Sequence, residues 1–160
     1  MTSEFLLGRF SKGIVIRLIG RGTMLESPAF RDAAQRGMDS GIVIFDATEC
    51  AYLDSTFLGC LIGLKKASER MAERRFLIVA PVQARIKLFC TSSLDRYFDF
   101  VDTCPEMLGE CVTIDIEKPD RHELGHHIMR CHERLAEMGG RESAAFRAIA
   151  DRLAHELGNV

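Results

Sequence analysis

The sequence lacks a long apolar run, an excess of either charge and any C-x-x-C pair of cysteines. Its formal net charge is −2, from 21 basic and 23 acidic residues, so no global electrostatic attraction to nucleic acid or to an anionic membrane is expected. No stretch approaches the roughly 18 apolar residues that a membrane span requires, and no charged amino-terminal region precedes an apolar one. We therefore expect a cytoplasmic chain that binds neither nucleic acid nor membrane.

The six cysteines lack the spacing of a disulfide framework or of a metal site. Most of them stand in apolar segments, where a free cysteine behaves as a small hydrophobic residue. This distribution favours a reducing compartment and predicts neither a metal nor a cofactor. Hydrophobic residues make up 47% of the 160 positions, which is enough for a packed core in a chain of single-domain length.

Short apolar segments alternate with helical patterns along the first two thirds of the chain. The first two segments flank a Ser-Lys-Gly turn and predict a β-hairpin, whereas the later ones are continuous apolar runs typical of strands buried on both faces. This alternation predicts an α/β fold in which helices pack on a mixed β-sheet. The predicted strands span residues 5–10, 14–19, 41–46, 76–80 and 97–101, and the predicted helices span 27–38, 54–73 and a stretch that begins at Pro81.

The pattern changes near Pro119, after which no further strand is expected. Residues 120–138 and 142–157 predict two helices joined by Gly139-Gly140, which together form a helical hairpin. We therefore divide the chain into a domain over residues 1–117 and a carboxyl-terminal extension over residues 118–160. Docking of the hairpin on the core and dimerisation through it both remain open. The apolar positions expected to join its helices are Leu124, Ile128, Leu135, Phe146, Ile149 and Leu153.

The most informative segment is a buried strand that ends at Asp46, a loop, and a helix that opens with Asp54-Ser55-Thr56. The first N–H groups of a helix lack partners within the helix, and the side chain of Asp54 is suited to cap one of them. Ser55 and Thr56 then lie on the first turn, where the positive end of the helix dipole favours an added phosphate.

This segment resembles the signature of STAS domains, as found in bacterial anti-sigma-factor antagonists, in which a strand ending in Asp precedes a loop and Asp-Ser-Ser-Gly-Leu-Gly. The match is carried by Asp46 and by Asp54-Ser55-Thr56-x-Leu58-Gly59, and the order of elements over residues 5–115 agrees with it. Phe57 is a departure, because the family has glycine there. The resemblance implies a STAS-like fold for this part of the chain.

The resemblance further implies a regulatory protein-binding module and not an enzyme. In that family, the second hydroxyl of the pair is phosphorylated by a partner kinase that is also the anti-sigma factor. The matching position is Thr56, with Ser55 as the second choice. The implied partner is an anti-sigma factor or a serine/threonine kinase, which phosphorylation would release. The implied partner-binding residues are Gly20, Arg21, Gly22, Thr23, Asp46, Asp54, Ser55 and Phe57.

Two alternatives belong to other functional classes. One is an unphosphorylated STAS scaffold or sensor module that acts through self-association as a homodimer, with Phe57 as a hydrophobic contact. The other is a zinc hydrolase, because His122-Glu123-Leu124-Gly125-His126 satisfies H-E-x-x-H and His132 stands at the spacing of a third ligand.

Helix geometry argues against the zinc hydrolase. At about 100° per residue, the apolar positions of the helix form one stripe and place His122 and His126 on its solvent side. A catalytic zinc ion needs a shaped, dry cleft, and Met129 stands where the motif needs a glycine to turn the chain. We expect a histidine-rich polar face without bound metal. The stripe expected to be buried consists of Leu124, Ile128, Cys131, Leu135 and Met138.

Overall fold

The computed structural model describes residues 3–90 and 93–158. Within these ranges, strands form one mixed sheet in the order β6-β5-β3-β2-β1-β7, and β4 pairs with the end of β2. The strands are β1 Glu4–Phe10, β2 Gly13–Gly22, β3 Ile42–Asp46, β4 Cys50–Leu53, β5 Phe76–Val79, β6 Phe100–Val101 and β7 Leu108–Ile114. The helices are α1 Ser27–Ser40, α2 Ser55–Glu69, α3 Val82–Arg85, α4 Arg121–Glu137 and α5 Ser143–Gly158.

The sheet has an antiparallel part and a parallel part. The predicted hairpin is confirmed, because β1 and β2 pair antiparallel from Phe10↔Gly13 to Glu4↔Ile19, and β7 pairs antiparallel with the outer edge of β1. Strands β2, β3, β5 and β6 run parallel to one another, with helices in the connections. The predicted mixed α/β fold is therefore confirmed.

Side chains of the central strands alternate between two apolar layers. In β3, Val43 and Phe45 join the large core under the helices, whereas Ile44 joins a smaller cluster on the other face. In β5, Phe76 and Ile78 likewise face the large core. Burial on both faces explains why these strands are continuous apolar runs in the sequence.

Strand β4 lies in the segment predicted to be a loop over residues 47–53. It pairs parallel with the last residues of β2, in the register Arg21↔Tyr52 and Gly22↔Leu53. Strand β2 pairs with two neighbours in succession, with β3 up to Arg17 and with β4 from Gly20. The β4 pairing shifts register after Gly20, whose φ of 99° glycine adopts without steric cost. The loop prediction was wrong here, and the pairing matters because it fixes the loop beside the start of α2.

Three other sequence predictions differ from the structure. Helix α2 ends at Glu69 instead of residue 73, and the edge strand β7 was not among the predicted strands. In place of the helix predicted from Pro81, there is a single turn of α-helix followed by the π-helical segment Ile86–Cys90, and Val82 in that turn is 63% exposed. None of the described helices has the length and apolar character needed to cross a membrane.

The predicted helical hairpin is confirmed as α4 and α5, and it docks on the α/β core. Helix α4 packs along α2 and adds Cys131 and Leu135 to the large core, while α5 packs on α4. The expected packing set was partly wrong, because Ile149 is exposed and Leu124 and Ile128 are only half-buried. Two histidines of α4 are buried instead, because the face of the helix that meets α2 differs from the apolar stripe that was expected to be buried.

Phe57, one of the predicted partner-binding residues, lies in the middle of the core, where a partner has no access to it. Its ring is fully buried and packs against three other phenyl rings, with centroid distances of 6.5 Å to Phe5, 5.1 Å to Phe30 and 5.8 Å to Phe45. Where the family has glycine, this chain therefore places the hub of an aromatic cluster.

We expect Phe57→Ala to destabilise the fold by about 3–5 kcal/mol, because it leaves a cavity among the three remaining phenyl rings. Thermal and urea unfolding would measure the loss. Val82→Ala serves as the control, since the exposed side chain of Val82 should contribute little. Equal stability of the two variants would contradict the packing described for Phe57.

Candidate functional site

Asp54 joins the start of α2 to the end of β2. One carboxylate oxygen, Oδ1, accepts a hydrogen bond from the N–H of Phe57 at 2.8 Å, which is the predicted helix cap. The other oxygen, Oδ2, accepts from the N–H of Met24 at 2.8 Å, and the N–H of Asp54 donates to the carbonyl of Gly22 at 2.9 Å. Burial raises the pKa of this carboxyl group, and the hydrogen bonds from Phe57 and Met24 offset part of that rise.

An exposed rim surrounds this junction, formed by Arg21, Met24, Leu25 and Tyr52. The guanidinium carbon of Arg21 lies 4.6 Å from the centre of the Tyr52 ring, within the range of a cation–π contact. Met24, Leu25 and Tyr52 are 41%, 47% and 45% exposed, although each is a large apolar or aromatic residue. The backbone segments that carry these side chains are held together by the β2–β4 pairing and by Asp54.

The resemblance grouped Gly20 to Thr23 with the start of α2 as partner-binding residues. In the structure, this segment does lie next to the start of α2. Gly20 and Gly22 are themselves buried, so only their backbone shapes the surface. Thr23 is half-buried, and its hydroxyl donates a hydrogen bond to the carboxylate of Glu26. Of these four residues, Arg21 alone offers an exposed side chain to a partner.

Helix α4 contacts the hydroxyl pair at the start of α2 through Ser55, which is half-buried. Oγ of Ser55 lies 3.1 Å from Nε2 of His132, and Nδ1 of the same ring lies 2.8 Å from the carbonyl oxygen of Ile128. Because a carbonyl oxygen only accepts, Nδ1 carries a proton, and in the neutral ring Nε2 accepts the hydrogen bond from Ser55. Thr56, the predicted phosphoacceptor, is only 3% exposed.

Asp46, another of the predicted partner-binding residues, is an internal anchor in this structure. The residue is 2% exposed, and its carboxylate accepts hydrogen bonds from Arg17 at 2.9 Å, from the Thr48 hydroxyl at 2.6 Å and from the Cys104 thiol at 3.1 Å. Burial alone would raise the pKa of Asp46, but these hydrogen bonds outweigh it and lower the pKa below 3.8. Asp46 thus ties β2, β3 and the segment before β7 together.

Helices α2 and α4 approach each other closely at Gly59. A Cβ atom added there would lie 2.7 Å from the Cα of Cys131, so any side chain would collide with the α4 backbone. At Gly63, one turn later, an added Cβ would meet only the guanidinium group at the end of Arg134, at 2.7 Å from its carbon. The signature glycine of the sequence therefore has a physical role, which is to admit α4.

His127 joins α4 to α1 inside the protein. Its Nδ1 accepts a hydrogen bond from the Arg31 guanidinium at 2.9 Å, its Nε2 contacts the hydroxyl of Ser27, and the thiol of Cys131 lies 3.6 Å away. Burial, followed by the positive charges of Arg31 and Arg134, lowers the pKa of His127 to about 4. The ring is therefore uncharged at neutral pH, which suits a buried position.

A cavity of about 350 Å³ opens beside Ser55, between the rim and α5. Most of its wall is apolar, and Lys87 and Glu142 stand among the lining residues with opposite charges. A second, larger cleft of about 890 Å³ lies between α1, the segment before α4 and α4 itself, and charged residues of both signs line it. The apolar lining of the smaller cavity consists of Ala51, Tyr52, Leu53, Leu58, Leu88 and Phe146.

The H-E-x-x-H motif does not assemble a zinc centre. His122 is exposed as predicted, His126 is half-buried, and their Nε2 atoms lie 3.1 Å apart on the outer face of α4. His132, the third residue of the zinc motif, is buried on the α2 side, where it contacts Ser55. Within residues 3–90 and 93–158, no group of three His, Cys, Asp or Glu residues could hold a metal ion.

Comparison with known proteins shows a similarity of fold. No family model and no curated protein matches the sequence. One similar solved structure is that of an anti-sigma factor antagonist from Mycobacterium paratuberculosis, with 21% sequence identity and a TM-score of 0.51. The match covers 64% of this chain and 87% of that chain. The fold is STAS-like.

Sequence reasoning found Arg21 but missed the other three exposed residues of the rim and the burial of two histidines. The position of Tyr52 beside Arg21 was not predicted because it depends on the pairing of β4, which was not expected. The exposure of Met24 and Leu25 was not predicted either. His132 attracted attention only as a zinc ligand. One signal in the sequence did indicate a close packing contact on α2, namely Gly59, because a glycine inside a helix often marks such a contact.

We expect acid to weaken the contact of α4 with the core through His127. Its pKa is 6.5 when unfolded and about 4 when folded, so the unfolded chain binds more protons between these values and stability falls as pH drops through this window. The total loss should be about 3 kcal/mol. Urea unfolding at several pH values would measure it, and His127→Gln should reduce the slope. An unchanged slope in this variant would contradict the assignment.

Proposed function

We propose that this chain is a regulatory protein-binding module of the anti-sigma-factor-antagonist type, which binds an anti-sigma factor or a serine/threonine kinase through the rim. The observation that carries the proposal is the rim itself, in which Asp54 orders the backbone around an exposed Arg21–Tyr52 pair. The similarity to a solved anti-sigma factor antagonist supports the class of partner.

The composition of the rim supports protein binding. Tyrosine, methionine and arginine are enriched at the centres of protein–protein interfaces, and tyrosine and arginine supply many of the residues that dominate binding energy. Here Tyr52 and Arg21 lie stacked, with Met24 and Leu25 beside them. A partner that covers this surface would bury exposed apolar area without having to order a loose loop.

The proposed switch is phosphorylation of the hydroxyl pair, with Thr56 as the acceptor and Ser55 as the second choice. Both stand on the first turn of α2, where the helix dipole stabilises negative charge by about 0.3–1 kcal/mol. A phosphate adds a charge of about −1.5 to −2. Next to a bound partner, that charge would be desolvated without a counter-ion, which costs several kcal/mol and would release the partner.

A second candidate function is an unphosphorylated scaffold or sensor module that acts through self-association. The observation in its favour is that Thr56 is buried and Ser55 is engaged by His132, so neither hydroxyl is freely available in this conformation. In both candidates the six cysteines are free thiols, which supports a cytoplasmic location.

Affinity capture from the native host tests the choice between the switch and the scaffold. The captured partner is identified by mass spectrometry and then purified for calorimetry. Tyr52→Ala should weaken binding by about 2 kcal/mol, which is roughly a thirtyfold loss of affinity. Thr56→Glu should weaken it as well, whereas Thr56→Ala should keep binding and lose regulation. The intact mass of the captured bait reports any phosphate directly.

Val112→Ala is the matched control for the rim, because Val112 is 60% exposed on the edge strand β7, away from the rim. Equal binding by wild type and Tyr52→Ala would remove the rim as the partner surface. Undiminished affinity of Thr56→Glu would remove the switch and favour the scaffold. A capture that returns only further copies of this chain would also favour the scaffold.

A further inference from the structure

We infer that the carboxyl-terminal hairpin is an intramolecular cover for the hydroxyl pair, so that docking of α4 on α2 and access of a partner to Thr56 exclude each other. The inference rests on the proposed function in one respect, namely that a partner must reach Thr56. The cover itself is argued from the contacts between the two helices.

One face of α2 meets α4 along its whole length. Ser55 contacts His132, Gly59 lies against Cys131 and Gly63 against Arg134, and further along Nζ of Lys66 lies 3.1 Å from the carboxylate of Glu137. From Gly59 to Lys66 the contacts advance along both helices in the same direction, so α2 and α4 run side by side. The four residues of α2 are spaced by three or four positions, as expected for one helical face.

Thr56 belongs to this covered face. It precedes Gly59 by three positions and Gly63 by seven, so the periodicity of a helix places it on the side that faces α4. Its exposure of 3% agrees with that position. A kinase that transfers a phosphoryl group must reach the hydroxyl directly, which this burial prevents, and the position of Thr56 on the α2 face assigns the cover to α4.

The cover is attached in a way that permits its release. Residues 115–120 join β7 to α4 without helix or strand, so the hairpin can leave while the sheet remains intact. The contact also contains polar groups, namely the partly buried pair Ser55–His132 and the buried pair Ser27–His127, which water can satisfy after release. Undocking therefore costs less than exposing a wholly apolar surface of the same size.

The structure provides a substitution that should open the cover without harming α2. Gly59→Ala adds one methyl group that collides with the α4 backbone at Cys131, while alanine improves helix propensity by about 1 kcal/mol. Gly63→Ala is the matched control, because its methyl group meets only the end of a long arginine side chain, which can move aside. The two variants change the same helix in the same way and differ in what the methyl group meets.

Access is measured with the full chain carrying Thr56→Cys, treated with iodoacetamide and analysed peptide by peptide by mass spectrometry. The thiol at position 56 should react slowly in this background and about tenfold faster or more when Gly59→Ala is added. Addition of Gly63→Ala should leave the rate nearly unchanged. Cys111, which is exposed on β7, provides an internal reference whose rate should not differ among the variants.

Equal alkylation rates at position 56 with and without Gly59→Ala would overturn the inference. Hydrogen exchange of β3 and β5 verifies that the core stays folded, and Leu135→Asp offers a second way to disrupt the α2–α4 contact if Gly59→Ala does not fold. This second variant should also speed alkylation, and an unchanged rate would again overturn the inference. Because the assay needs no partner, its failure is distinguishable from failure of the proposed function.

Discussion

The close approach of α4 to α2 at Gly59 is the contact on which the rest of the arrangement depends. The backbone of α4 can lie against α2 only because Gly59 has no side chain. Once there, α4 buries Cys131 and Leu135 in the large core and carries His127 and His132 to the hydroxyls of Ser27 and Ser55. A residue of the signature segment thus determines how the extension packs, although the two are more than 60 positions apart.

This packing gives the signature helix two different surfaces. At its amino terminus, Asp54 holds the end of β2 and presents the exposed rim, while the adjacent helical face with Thr56 lies under α4. Phe57 reinforces the division, because its ring fills the core where the family has glycine. The proposed partner surface and the hydroxyl pair are therefore neighbours that one helix supports, and we infer that displacement of the hairpin exposes the second without dismantling the first.

The sequence predicted those features that depend on local chemistry. The apolar runs of β3 and β5, the turn between β1 and β2 and the cap by Asp54 are each encoded by a few adjacent residues. Strand β7 was missed because nearly all of its residues are exposed, so it has no apolar alternation to detect. The burial of His127 and His132 was missed because it depends on where α1 and α2 lie, and the periodicity of α4 alone cannot report the position of its neighbours.

The central claim is that the partner binds at the rim and competes with α4 for the signature helix. Hydrogen exchange of the full chain, alone and with its purified partner, tests both parts in one measurement. The account predicts that amides of residues 20–25 and 50–55 become more protected in the complex, while those of α4 become less protected. Increased protection of α4 together with the rim, or no change at the rim, would contradict it.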